Sequence, residues 1–162
     1  YFFHKVICSY LLKMKVVIQR VSEASVTVGG QIVGAISNGL LLLIGIDEQD
    51  DESDANWLVQ KILNLRIFSD VEGKMNLSVQ DFQGEILCIS QFTLIADYKK
   101  GNRPGFSKAA KPEQAIPLFE YFKNEISKSG LKTESGIFGT DMKVSLLNNG
   151  PVTIVMDSKT KQ

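Results

Sequence analysis

Two short stretches carry the groups that could do chemistry. Ser90-Gln91-Phe92-Thr93-Leu94 gathers two hydroxyls and a primary amide at the end of an apolar run, Ile86-Leu87-Cys88-Ile89. Polar groups at the end of a rigid strand hold position better than groups on a loop, so this stretch has what a small polar pocket needs. The alternative is that Ser90 and Thr93 only satisfy backbone groups where the strand stops. The second stretch is Asn148-Asn149-Gly150-Pro151. All four residues favour turns, so one reading is a hairpin turn between two strands. The other starts from Pro151. An X–Pro bond is the one kind in which the cis form is cheap, about 0.5–1 kcal/mol above trans, and a cis bond would turn the Gly150 and Pro151 carbonyls to one side, facing a pocket.

What the chain lacks narrows the chemistry. Its one histidine, His4, lies upstream of Met14, in residues 1–13 that read as an N-terminal extension ahead of the fold. A domain from 14 to 157 without histidine excludes a Ser-His-Asp or Cys-His engine and a His-ligated zinc site. Thr93 as a covalent nucleophile has no visible base to activate it. Two cysteines, Cys8 and Cys88, suggest neither a disulfide framework nor a metal site, and a reducing cytoplasm is the natural compartment. The acidic run from Asp47 to Asp54 has no calcium-loop spacing and sits where a helix N-terminus favours negative charge. No metal or other cofactor is expected. Leu40-Leu41-Leu42-Leu43-Ile44 is far too short to span a membrane.

Lys+Arg and Asp+Glu both number 18, so the chain lacks the basic excess of a general nucleic-acid binder. Any such contact must be local. Tyr98 to Lys108 holds four cations, including Arg103, together with two aromatics and two glycines. This is the composition for holding a phosphate and an unpaired base, or else a basic surface loop with no partner.

The elements that position these groups follow from periodicity. Ala24-Ser25-Val26-Thr27-Val28, the Gly29-Gly30 turn and Gln31 to Ile36 form a hairpin that continues into the Leu40 run as a meander. A helix of about four turns follows the acidic run, with Leu58, Val59, Ile62 and Leu65 on one face. Arg66 to Asp70 and Lys74 to Val79 read as a strand pair around a Glu72-Gly73 turn. A second helix starts at Pro112 or Pro117 and stops at Gly130, since a proline is tolerated only in the first turn. Met142 to Leu147 and Val152 to Met156 read as two strands, with a polar tail from 158 to 162. The prediction is an α+β domain: curled antiparallel sheets forming a barrel, with two main helices packed outside.

Ser90-Gln91-Phe92-Thr93-Leu94 followed by Asn149-Gly150-Pro151-Val152-Thr153 closely resembles the paired motifs of the D-aminoacyl-tRNA deacylase family. Gln19-Arg20-Val21, Arg66 to Asp70, Gly73-Lys74-Met75-Asn76 and Arg103-Pro104 also fall where that family would have them, so the resemblance spans Met14 to about Asp157. Gly105 departs from it, since serine is expected after Arg-Pro. The resemblance implies a homodimer in which the Gly-Pro motif of one subunit enters the other's pocket. Gly150 and Pro151 would form a chirality filter, their carbonyls filling the space that an L side chain needs. Asn149, Thr153 and Arg103 would join them in binding the aminoacylated 3′ end of a tRNA. Ser90, Gln91, the Phe92 amide and Thr93 would hold the scissile ester and terminal adenosine. Arg20 would brace the filter or else snorkel from the sheet.

The implied reaction is hydrolysis of D-aminoacyl-tRNA, and of glycyl-tRNA mischarged on tRNA-Ala, releasing free amino acid and tRNA as chiral proofreading in translation. An aminoacyl ester is already activated, so positioning, oxyanion donors and a water suffice, with the terminal ribose hydroxyl assisting. A nucleic-acid-binding module of the same fold without deacylase activity, or a small-molecule-binding barrel, are the alternatives.

Overall fold

The computed structural model describes residues 14–160, so the extension at 1–13, with His4 and Cys8, lies outside the described residues. The organising strand is β1 (Lys15–Val28). One edge of β1 pairs antiparallel with β8 (Lys143–Asp157). Its other edge pairs antiparallel with β3 (Gly39–Gly45) over the first half and with β2 (Gln31–Ile36) over the second. Gly29 and Gly30, with φ of 56° and 80°, make the β1–β2 turn that the sequence predicts.

β3 pairs in parallel with β6 (Glu85–Ser90), which pairs in parallel with β7 (Thr133–Ser135). The sheet is therefore mixed, not antiparallel throughout. The reason is the length of the connections, each containing a helix, which carries the chain back to the opposite end of the sheet before the next strand begins. β2 closes back against β6 and β7, giving the barrel-like α+β fold expected. β3 is apolar without alternation because both its faces are covered. Leu40, Leu42 and Ile44 pack with the helices, while Leu41 joins Val26, Leu87 and Ile89 on the opposite face.

The first helix, α1 (Glu52–Asn64), begins at a capping box between Asp51 and Asp54. β4 (Phe68–Ser69) and β5 (Met75–Leu77) form the small expected pair. Ser78 and Asp81 then cap a one-turn helix, α2 (Val79–Phe82), that a strand reading through Val79 misses. The long helix α3 (Pro112–Ser127) starts at Pro112 and contains Pro117 in its second turn. An interior proline costs about 3 kcal/mol. Burial of Leu118, Phe119, Phe122 and Ile126 outweighs this at about 1.5–3 kcal/mol each.

Asn148 to Pro151 is not a hairpin turn, because both flanking segments belong to β8 and run the same way along β1. From Gln19 to Val21, β1 advances two residues while β8 goes back five, from Thr153 to Asn148. Three extra residues are thus pushed out of the ladder as a wide bulge. Past β8, the Ser158 amide donates to the Met14 carbonyl at 3.0 Å and Lys159 pairs with Asp54 at 2.8 Å. No helix among the described residues is long and apolar enough to cross a membrane.

Candidate active site

Arg20 sits in the register gap opposite the bulge, only 9 % exposed. A buried guanidinium needs acceptors, and two backbone carbonyls supply them. Its Nε donates to the Asn149 carbonyl at 3.0 Å, and one terminal nitrogen donates to the Ile67 carbonyl just before β4. Gly150 lies against the same side chain. With φ of 134° it holds a conformation that L side chains rarely adopt, and a Cβ there would overlap the Arg20 guanidinium. The Gly150–Pro151 peptide is cis. The Asn148 amide donates to the Arg20 carbonyl at 2.9 Å and to the Val152 carbonyl at 3.1 Å, and Gln19 donates to the Thr153 hydroxyl at 3.3 Å. Asn149, Gly150 and Pro151 face solvent.

The second group begins where β6 ends. The Gln91 amide N–H donates to the Ile44 carbonyl at 2.7 Å, prolonging the β3–β6 ladder by one residue. The chain then tightens into a 3₁₀ turn, Phe92–Ile95. The Gln91 side-chain amide donates to the Thr93 hydroxyl at 2.5 Å. That hydroxyl accepts from an amide, the arrangement of a polar contact and not of the nucleophile–base pair that covalent catalysis needs. The first N–H groups of such a turn, here Phe92 and Thr93, have no partner within it and are the donors an oxyanion requires. Gly45 makes the turn possible: a Cβ there would lie 2.8 Å from Leu94 Cβ and 3.0 Å from the Gln91 carbonyl. Periodicity gives no sign of that role, because Gly45 reads simply as the end of an apolar run.

The basic segment is a tied loop. Asp97 and Gly105 exchange backbone hydrogen bonds at 2.8 and 2.7 Å, and the base is held by Glu48 N–H to the Lys108 carbonyl and Ala110 N–H to the Ile46 carbonyl, both at 2.9 Å. Tyr98, Lys100 and Arg103 are exposed. Phe106 meets the half-exposed Phe92 edge to face, with ring centroids 5.1 Å apart, joining the loop to the 3₁₀ turn. At Gly105 a Cβ would meet nothing closer than the Asp97 carbonyl at 3.8 Å, so the expected serine would fit.

The acidic run is a helix start, with three of its carboxylates, Asp47, Asp50 and Asp54, buried. Asp50 accepts from the backbone N–H groups of Met14 at 2.9 Å and Asp47 at 2.7 Å, and burial pushes its carboxyl up to about 7. Burial also raises Asp47, whose Oδ2 has no hydrogen-bond partner among the described residues. Among the described residues, no three His, Cys, Asp or Glu side chains are grouped to hold a metal ion.

Within one chain the two groups stay apart. Ser90 lies opposite Ile44, Ile44 opposite Val16, and Val16 opposite Met156 on β8. Three strand spacings therefore separate them, roughly 14 Å along the sheet, and the bulge lies further along β8.

This barrel, with a Ser-Gln-Phe-Thr turn at one strand end and a Gly-Pro bulge on the edge strand, matches the family described as D-Tyr-tRNA(Tyr) deacylase over residues 17–157. The D-aminoacyl-tRNA deacylase of Flavobacterium psychrophilum is 59% identical over 150 residues, covering 92% of this chain and 100% of the relative. The solved structure of a c-Myc DNA Unwinding Element Binding Protein superposes with a TM-score of 0.83 at 46% identity, covering 88% of this chain and 97% of that one. A probable eukaryotic D-amino acid tRNA deacylase shares the fold, with a TM-score of 0.77 at 18% identity over 90% of this chain and 100% of that one. The chain belongs to the D-Tyr-tRNA(Tyr) deacylase family.

Proposed function

We propose that this protein hydrolyses the ester of D-aminoacyl-tRNA, releasing free D-amino acid and tRNA, with each active site built from two subunits. The observation that carries this reading is the bulge of β8, which presents Asn149, Gly150 and Pro151 to solvent over a buried arginine. The 3₁₀ turn that would hold the ester lies roughly three strands away in the same chain. β8 pairs only with β1 among the described strands, and its solvent-facing side exposes Leu147 and Val155. A second copy packed over the bulge would supply the missing half, its own Gln91–Thr93 turn.

In that composite site Gln91, the Phe92 amide and the Thr93 hydroxyl position the ester and terminal adenosine, while Ser90 closes the strand beneath them. Gly150 and Pro151 exclude an L side chain, with Asn149 and Thr153 flanking them and Arg20 beneath. Arg103 contributes to holding the acceptor end. A filter made of carbonyls reads nothing about a D side chain, so glycyl-tRNA on tRNA-Ala is a substrate as well. The test is hydrolysis of matched D- and L-aminoacyl-tRNAs of several sizes, together with glycyl-tRNA. Activity on a single D-amino acid with glycine refused would falsify the filter. Mixing a Gln91→Ala/Thr93→Ala subunit with a Gly150→Ala one should restore activity, and no recovery in verified heterodimers counts against shared sites.

A second reading has its own support. The tied loop with Tyr98, Lys100 and Arg103 exposed suits a nucleic-acid-binding module, and the similar structure described as a DNA-unwinding-element binding protein points the same way. Nucleic-acid binding without turnover of any charged tRNA would favour it.

A further inference from the structure

The bulge leaves two carbonyls in need of donors. Arg20 lies in the register gap between Gln19↔Thr153 and Val21↔Asn148, so no β8 residue stands opposite it to complete the ladder. Val152, on the far side of the bulge, has likewise lost its place in the register. Carbonyls cut from a ladder and shielded from water must find another donor. The Asn148 side chain reaches both, at 2.9 Å to the Arg20 carbonyl and 3.1 Å to the Val152 carbonyl. A primary amide has two N–H donors on one nitrogen, and no other uncharged side chain of that length offers both.

Those two bonds clamp the bulge at its ends. Asn148 enters it, Val152 leaves it, and one nitrogen ties both to β1. Arg20, whose carbonyl Asn148 holds, reaches back with its side chain to the Asn149 carbonyl and outward to the Ile67 carbonyl. The loop of contacts encloses Gly150, which has no room for a Cβ against the same guanidinium.

We propose that Asn148 is a positioning residue for stereochemical discrimination: its amide straps the ends of the β8 bulge and so fixes where the Gly150 and Pro151 carbonyls stand. This rests on the reading of those carbonyls as the filter. A residue that merely stabilises the fold would, when changed, lower activity on D and L substrates alike. A residue that aims the filter changes their ratio.

The experiment measures kcat/KM for D- and L-forms of the same aminoacyl-tRNA. Asn148→Asp keeps the size of the side chain but replaces both donors with acceptors. Its D-over-L ratio should fall at least about tenfold, the effect of roughly one buried carbonyl left unsatisfied. Leu146→Ala, two residues away and packed on the core, should lose stability with the ratio unchanged. Gly150→Ala is the benchmark for a displaced filter. If Asn148→Asp does not fold, Asn148→Ser is used, whose shorter hydroxyl can serve one carbonyl at most. An unchanged ratio in the Asn148 variant beside a lowered one in Gly150→Ala overturns the strap and leaves the filter standing. An unchanged ratio in both removes the filter, and the strap with it. An equal fall in Leu146→Ala shows general loosening and also overturns the proposal.

Discussion

The ring of Phe106 meets that of Phe92 at 74°, edge to face, and this contact joins the basic loop to the turn that would hold the ester. An aromatic pair of this geometry contributes about 0.5–1.5 kcal/mol beyond its buried area. Phe106→Ala should therefore leave the barrel folded but release the loop. The expected outcome is a several-fold rise in KM for charged tRNA with kcat changed much less, read from steady-state deacylation. A fall in kcat alone would show that the contact serves the chemistry and not the docking.

Gly45→Ala should act on the turn from behind. The added methyl meets Leu94 Cβ at 2.8 Å and the Gln91 carbonyl at 3.0 Å, so the turn must shift outward. Overpacking of this kind costs about 1–3 kcal/mol. Urea unfolding should show that loss, and deacylation should fall with it. Gly105→Ser supplies the contrast, since open space there predicts a change within about 0.5 kcal/mol.

Arg103 is exposed on a loop whose cations face solvent. If it contacts a phosphate, Arg103→Ala should weaken tRNA binding and reduce the slope of log K against log salt by about 0.7, the value for one contact on a single strand. Titrations at several salt concentrations decide the point, and an unchanged slope removes Arg103 from the interface.

Stability should fall as pH rises from about 4 to 7. Asp50 is raised from 3.8 to about 7 in the folded protein. Across that window the folded state holds a proton that the unfolded state has released, so the slope of unfolding free energy against pH is negative, at most about 1.4 kcal/mol per unit for one group. Burial raises Asp47 and adds in the same direction. The lowered carboxyls of Asp51, Asp70 and Asp81 act the other way, and their contribution is lost only as pH falls below 3.8. Denaturant midpoints at pH 5 and 7.5 test this. Asp50→Asn should flatten the difference, even though an amide cannot accept from both N–H groups as the carboxylate does.

Periodicity reveals most of the barrel because its strands bury one or both faces and say so residue by residue. β3 is legible as central for that reason. The parallel pairings were not legible, since strand direction depends on where a long connection returns the chain. Asn148 to Pro151 deceived local reasoning because turn-forming residues describe a bulge as well as a hairpin, and only register along β1 tells them apart. Pro117 leaves the start of α3 open between two prolines, and Pro112 is the start because the core beneath α3 overrides the local penalty of Pro117. At the site, hydroxyls and amides announce themselves by type. Gly45 and Asn148 act through geometry with residues far along the chain, and no local pattern carries that.

The bulge also governs how far self-association can go. A 15-residue edge strand with an open row of donors and acceptors is a template on which further chains could pair without end. Here the row is broken at mid-length by three displaced residues and by Pro151, which has no N–H to give. Open-ended sheet growth, copy upon copy into a fibre, loses its continuous hydrogen-bonding edge. Removing the bulge to leave an uninterrupted β8 should therefore promote aggregation.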